Sequence, residues 1–180
     1  MRPADANEVA EAWRVIMPLR HRPVALILSR QALPTLDRGK YASAQGVARG
    51  AYVLADAEGG RPQVLLLATG SEVALCVQAC ELLKTEGIRA RVVSMPSWEL
   101  FETQDRSYRD SVLPPDIRAR VAVEQACGLG WDRYAGNGGA ILAMQSFGAS
   151  APMKDLQRKF GFTPDRIVAA AREQVQNHLA

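Results

Sequence analysis

Charge of one sign is what this sequence has least of: 22 basic residues stand against 19 acidic ones, a formal surplus of +3 over 180 residues. So small a surplus gives no electrostatic footprint for nucleic acid. Arg20, Arg22, Arg118 and Arg120 sit beside apolar runs rather than in a stripe with interleaved aromatics. Histidine is scarce as well. His21 and His178 are the only two, near opposite ends, so a histidine metal site or a Ser-His-Asp triad has no local constellation to start from. Cys76, Cys80 and Cys127 are an odd number, and the first two lie four apart in an expected helix. That pattern reads as reduced thiols rather than a disulfide framework. No apolar run approaches the roughly 20 residues that span a bilayer, and no signal-peptide core opens the chain. A cytoplasmic protein without membrane or nucleic-acid partners is the expectation. Internal repeats and low-complexity tracts are also missing.

What is present is an ordinary globular balance, 48% hydrophobic and 23% charged, in a chain long enough for one core and a short extra lobe. The clearest element is Val64 to Glu72, a buried strand that ends in a glycine turn and opens a helix running to about Glu86, with Gly87 as its C-terminal cap. A second strand over Arg89–Met95 completes a strand-helix-strand unit, which implies parallel pairing. Arg120–Glu124 and Ala140–Met144 read as further strands, Gly50–Asp56 as an edge strand, and Trp98–Phe101 as a short helical turn. Lys154–Phe160 and a last helix starting at Thr163 or Asp165 follow, the latter packing Ile167, Val168, Ala171 and Val175. Strands alternating with helices predict an α/β fold, a three-layer α/β/α sandwich with a mostly parallel sheet and one antiparallel edge strand.

The opening residues are less easily placed. Asp5 and Glu8 form a capping box for a helix with Val9, Ala12, Trp13 and Ile16 on one stripe. Val24–Leu28 reads as a buried strand, and Gln31–Ala48 as a linker. One helix and one strand cannot enclose a core, so residues 1 to about 35 are expected to pack on something else.

Few residues suggest chemistry. Gly70-Ser71-Glu72 sits where backbone N–H groups at a helix start can receive an anion. The plainer alternative is a turn at Gly70, a cap at Ser71 and a favourable charge at Glu72. The segment lacks both the G-x-G-x-x-G and the G-x-x-x-x-G-K-[ST] spacings. Arg30 follows the expected strand Val24–Leu28 and is placed to grip a phosphate with two parallel bonds; a salt bridge or a solvated arginine is the alternative. Glu99 and Glu124 stand at strand ends, where a buried carboxylate can move protons but more often caps. Asp105, Asp110 and Asp132 read as surface or cap residues. Trp98, Phe101, Trp131, Tyr134, Phe147 and Phe160 read as core or interface anchors. No catalytic residue and no metal ligand is assigned.

Five segments taken together say more: Arg2-Pro3-Ala4-Asp5, Leu28-Ser29-Arg30-Gln31, Leu67-Ala68-Thr69-Gly70-Ser71-Glu72, Ser94-Met95-Pro96-Ser97-Trp98-Glu99-Leu100-Phe101 and Phe147-Gly148-Ala149-Ser150-Ala151-Pro152. In this order and spacing the chain resembles the C-terminal end of bacterial transketolases. The resemblance implies that residues 1–35 are the last helix and strand of a pyrimidine-binding domain, 36–47 a linker, and 48–180 the C-terminal domain. It implies that Arg30 holds the phosphate of a sugar-phosphate substrate. It also implies a homodimeric enzyme that transfers a two-carbon ketol unit with thiamine diphosphate and Mg or Ca, the cofactor supplying the covalent chemistry. The family's Gly-Asp-Gly motif, its cofactor-activating glutamate and its channel histidines have no counterpart here. The chain alone is therefore expected to bind no cofactor and to be inactive, serving domain packing, dimer assembly and phosphate contact beside the remainder of the subunit. Two places depart from the family pattern: Arg20-His21-Arg22, where an acidic residue and a glycine are usual, and Gln125-Ala126-Cys127, where a small glycine-containing turn is usual. One rival is a non-catalytic association subunit paired with a separately encoded N-terminal polypeptide. A second is a stand-alone nucleotide-binding domain built on Gly70 to Glu72.

Overall fold

The computed structural model describes residues 1–178. Its chain order begins with helix α1 (Ala6–Ile16), a 3-10 turn (Ala44–Arg49), β1 (Tyr52–Ala55), β2 (Val64–Ala68) and α2 (Glu72–Thr85). It continues with β3 (Ala90–Ser94), α3 (Trp98–Glu102), α4 (Arg106–Val112), β4 (Arg120–Cys127) and α5 (Asp132–Ala135). The chain closes with β5 (Ala140–Met144), α6 (Met153–Phe160) and α7 (Pro164–Asn177).

The strands form one sheet in the order β1-β3-β2-β4-β5. Pairs β2–β3, β2–β4 and β4–β5 are parallel, and β1 joins the edge antiparallel to β3. The central strand β2 is buried along its whole length, and its side chains divide by parity. Val64, Leu66 and Ala68 enter one core with Val73, Cys76, Ala79 and Leu83 of α2 and Ile167, Ala171 and Val175 of α7. Leu65 and Leu67 enter the other with Phe101, Val112, Trp131 and Tyr134. A continuous apolar run is what a strand covered on both faces requires, and the three-layer α/β/α sandwich follows from it.

Local chemistry sets the ends. Gly87 takes φ +75, and Ile88 N donates to Leu83 O, closing α2 as expected. Thr163 caps α7 by accepting from Arg166 N. The short helices α4 and α5 were not anticipated; Asp105 starts α4 by accepting from Tyr108 N.

The expected strand Val24–Leu28 does not form. The segment is extended, but among the described residues its only backbone hydrogen-bond partner is Met1, which accepts from Ile27 N at 2.9 Å and donates to Ala25 O at 2.6 Å. A ladder needs a continuous partner, and Ile27 and Leu28 are more than half exposed. The expected linker also carries the 3-10 turn, which buries Ala44 and Val47.

Candidate functional site

In an open α/β sheet, ligands bind outside the carboxyl ends of the strands, where chain direction reverses. Here that point lies between β2 and β4, since β3 is laid down on one side of β2 and β4 on the other. Gly70, at φ +59, turns the chain out of β2, and Glu124 lies near the end of β4.

The crevice is filled by Arg2. Its backbone is stitched across the strand ends: Arg2 N donates to Pro96 O at 2.8 Å, and Arg2 O accepts from Gly70 N at 3.1 Å and from Thr69 Oγ1 at 3.0 Å. Its Nη1 donates to both oxygens of Glu124, at 2.6 and 2.5 Å, and its Nη2 reaches Glu72 Oε1 at 3.4 Å. Glu72 and Glu124 side chains are 0% and 5% exposed. Burial acts to lower the Arg2 pKa, yet the bonds and charge of Glu124, with those of Glu72, raise it overall. Burial pushes the Glu72 carboxyl up, opposed by Ser71, by the Gln125 amide and by Arg2. Glu124 is thus held in an ion pair, which gives it a structural role rather than that of a free acid or base.

Ser71 does not cap α2 with its side chain: it lies in helical geometry, and its Oγ donates to Glu72 Oε2 at 2.7 Å. The Glu72 carboxylate stands at the helix start, where it meets the positive end of α2. Arg30 lies on the exposed segment after Leu28, and among the described residues it has no hydrogen-bond or ion-pair partner. Its neighbour Ser29 turns back to donate to Gln31 O at 2.7 Å. Gly70 and Ser71 therefore belong to the crevice, and Arg30 to the arm.

Sequence reasoning missed Arg2. The signal was available: two carboxylates, one opening the helix after β2 and one on β4, once buried, require a cation, and no base lies beside either in sequence. A second buried carboxylate holds α1 in place. Glu8 closes its capping arrangement by accepting from Ala4 N at 2.8 Å, and it also accepts from Tyr52 Oη at 2.7 Å and Ser94 Oγ at 2.6 Å. Asp5 caps Glu8 N and pairs with Arg38 at 3.0 Å.

The other candidates fall into packing or surface. Trp98 meets Trp131 and Tyr134 edge-on, with centroids 5.0 and 5.2 Å away, and Trp131 Nε1 donates to Glu124 Oε2. Phe160 is half-buried and Phe147 exposed. Asp110 pairs with Arg106. Glu99 accepts from Ser97 Oγ, and Asp132 opens α5 on the surface. The three cysteines are free; burial pushes the Cys76 thiol up and the Cys80 thiol to about 11, so both are neutral thiols at pH 7.

Among the described residues no group of three His, Cys, Asp or Glu side chains could hold a metal, and no helix is long and apolar enough to cross a membrane. Thiamine diphosphate does not fit the residues present: the strand-end crevice holds a guanidinium between two carboxylates, and those carboxylates would repel a diphosphate.

Residues 50–163 match the family described as the transketolase-like TK C-terminal domain. The chain is 52% identical over 168 residues to a transketolase of Geobacillus stearothermophilus, covering 93% of this chain and 25% of that protein. Transketolase from Leishmania mexicana superimposes with TM-score 0.90 at 39% identity, over 100% of this chain and 25% of that one. Transketolase from Pichia stipitis in complex with sedoheptulose 7-phosphate superimposes with TM-score 0.88 at 33% identity, over 99% of this chain and 25% of that one. The chain therefore spans about a quarter of the length of the relatives it matches.

Proposed function

The chain belongs to the transketolase family, and from that premise we propose that it works as the C-terminal portion of an enzyme moving a two-carbon ketol unit between sugar phosphates with thiamine diphosphate and a divalent metal. In this reading residues 1–35 complete the pyrimidine-binding domain, 36–47 link, and 48–180 form the C-terminal domain. The observation that carries it is the likeness along essentially the whole chain to one quarter of longer relatives. It is reinforced by a strand-end crevice already filled by Arg2. The chain's own work is packing, assembly of a homodimer and presentation of Arg30.

Exposed apolar side chains on and after α1 support the assembly role: Trp13, Met17, Leu19, Ile27 and Leu28 are each at least 40% exposed and need a covering surface. The same surface suits an association subunit paired with a separately encoded N-terminal polypeptide. Arg30 suits a sugar phosphate because a planar guanidinium grips phosphate with two bonds, and the Pichia stipitis relative was solved with such a sugar.

The test is ketol transfer from xylulose 5-phosphate to ribose 5-phosphate, with cofactor and metal, by the chain alone and after mixing with a polypeptide covering the upstream three quarters of a close relative. No turnover is expected alone, and turnover on mixing. In the mixture, Arg30→Ala should lower kcat/KM by about tenfold to a hundredfold, the equivalent of one lost charge-assisted contact, mostly through KM. Turnover by the chain alone would refute the division of labour, and an unchanged kcat/KM in Arg30→Ala would refute the phosphate role.

A further inference from the structure

The crevice that holds Arg2 is built around its ligand. Each carboxylate is oriented by donors that do not come from Arg2. Glu72 accepts from Gln125 N at 2.5 Å and Ser71 Oγ at 2.7 Å. Glu124 accepts from Ala126 N at 3.1 Å and Trp131 Nε1 at 3.1 Å. Both side chains are almost wholly buried, Glu72 at the start of α2 just beyond β2 and Glu124 on the adjoining strand β4, so their mutual repulsion in a dry site calls for one cation between them. The cation that fits is planar and forked. One nitrogen, Nη1, spans both oxygens of Glu124, and the other, Nη2, turns toward Glu72. Lysine offers a single point of charge and cannot serve both groups in that geometry. Gly70 supplies the positive φ of +59 that turns the chain at this point, and a Cβ there would meet the guanidinium only at ordinary contact distances of 3.6 Å from Nη2 and 3.7 Å from Nε.

We propose that the carboxyl-end crevice of this sheet is a guanidinium-recognition site, formed by Glu72, Glu124 and Trp131, for which Arg2 is the built-in ligand and through which the N-terminal segment is anchored. The fold's usual ligand position is used for attachment. The anchor extends beyond residue 2, because Met1 O accepts from Ile27 N and Met1 N donates to Ala25 O. Seating Arg2 therefore fixes Ala25–Ile27, three residues before Arg30. Arg2 is in this sense a positioning residue for the arm. The site is independent of the ketol-transfer reading, since it rests on contacts within this chain.

The experiment is chemical rescue of the full chain carrying Arg2→Ala. Removing one partner of a buried ion pair should lower the melting temperature by roughly 6–12 °C, followed by the near-ultraviolet circular dichroism of the buried tryptophan. Methylguanidinium at low-millimolar concentration should restore part of that loss, whereas ammonium at equal ionic strength should not. The double variant Arg2→Ala/Glu124→Gln should show no such selectivity, and Arg2→Lys should melt between the parent and Arg2→Ala. If Arg2→Ala is already unfolded at the starting temperature, the readout is return of the tryptophan signal on adding methylguanidinium. Equal responses to the two cations, or no response to either, would overturn the proposal.

Discussion

Gly50→Ala is expected to cost about 4 kcal/mol of stability, a fall of roughly 8–16 °C in melting temperature for a chain of this size. Two penalties combine. Gly50 has φ +82, a conformation that costs a side-chain-bearing residue about 1–2 kcal/mol. A Cβ at this position would also lie 2.2 Å from Phe101 N and 2.3 Å from Ser97 O. Those are backbone atoms that cannot rotate away, and overpacking of this kind costs about 1–3 kcal/mol or more. The contact joins the 3-10 turn to the start of α3, where Ser97 N donates to Gly50 O at 2.9 Å. Gly59→Ala is the control. Gly59 has φ +75 but nothing within 4 Å of a new Cβ, so it should cost only about 1 kcal/mol. Urea unfolding of the two variants checks the pair; equal losses would mean that the Gly50 backbone gives way.

Glu8→Ala should destabilise the protein by about 3–5 kcal/mol at neutral pH, because it strands buried donors at Ala4 N, Tyr52 Oη and Ser94 Oγ. Its pH dependence has a definite sign. Burial raises the Glu8 pKa above its ordinary 4.5, despite the hydrogen bonds from Ser94, Ala4 and Tyr52 that oppose it. Below about 4.5 both folded and unfolded chains carry the proton; above it the folded state holds the proton longer. The contribution of Glu8 to stability therefore declines as pH rises from there through the raised value, then levels. The alanine variant lacks this titration. The gap between parent and variant should thus be wider in acid than at neutral pH, while Glu72, Asp56, Glu81 and Glu86 titrate in both proteins and cancel. Urea unfolding across that range measures it, and a gap that narrows in acid would contradict the assignment.

Where local pattern and tertiary demand agree, the fold was readable. Val64–Ala68 is apolar on both parities, and both faces of β2 are covered. Thr163 and Gly87 start and stop helices, respectively, by chemistry carried in a few adjacent residues. Val24–Leu28 shows the limit of such reasoning: apolar content suits a strand, but a strand exists only with a neighbour, and among the described residues Met1 alone bonds to its backbone. The helices α4 and α5 are too short and polar for a period to show. The site follows the same division. Gly70 was legible as a turn because positive φ favours glycine. The partnership of Glu72 and Glu124 with Arg2 spans 70 and 122 residues, and no local pattern announces it. Ser71 was expected as a cap because its type suits one; in the structure the adjacent Glu72 carboxylate takes its hydroxyl instead.

These contacts give the chain a coherent physical character. Three charged residues of the first eight, Arg2, Asp5 and Glu8, are each held by partners in or near the sheet. They fix one side of the N-terminal segment, with Ala4 and Ala12 buried, and leave Trp13, Met17, Leu19, Ile27 and Leu28 outward. That arrangement suits the proposed role, in which the segment is clamped to the rest of this chain and its exposed apolar side chains are covered by a further polypeptide.

Sedimentation velocity of the chain, alone and mixed with a polypeptide covering the upstream three quarters of a close relative, tests this account most directly. A heavier species containing both polypeptides is predicted, weakened when Trp13 and Leu28 are replaced together by serine. Two components sedimenting independently at concentrations well above micromolar would contradict it.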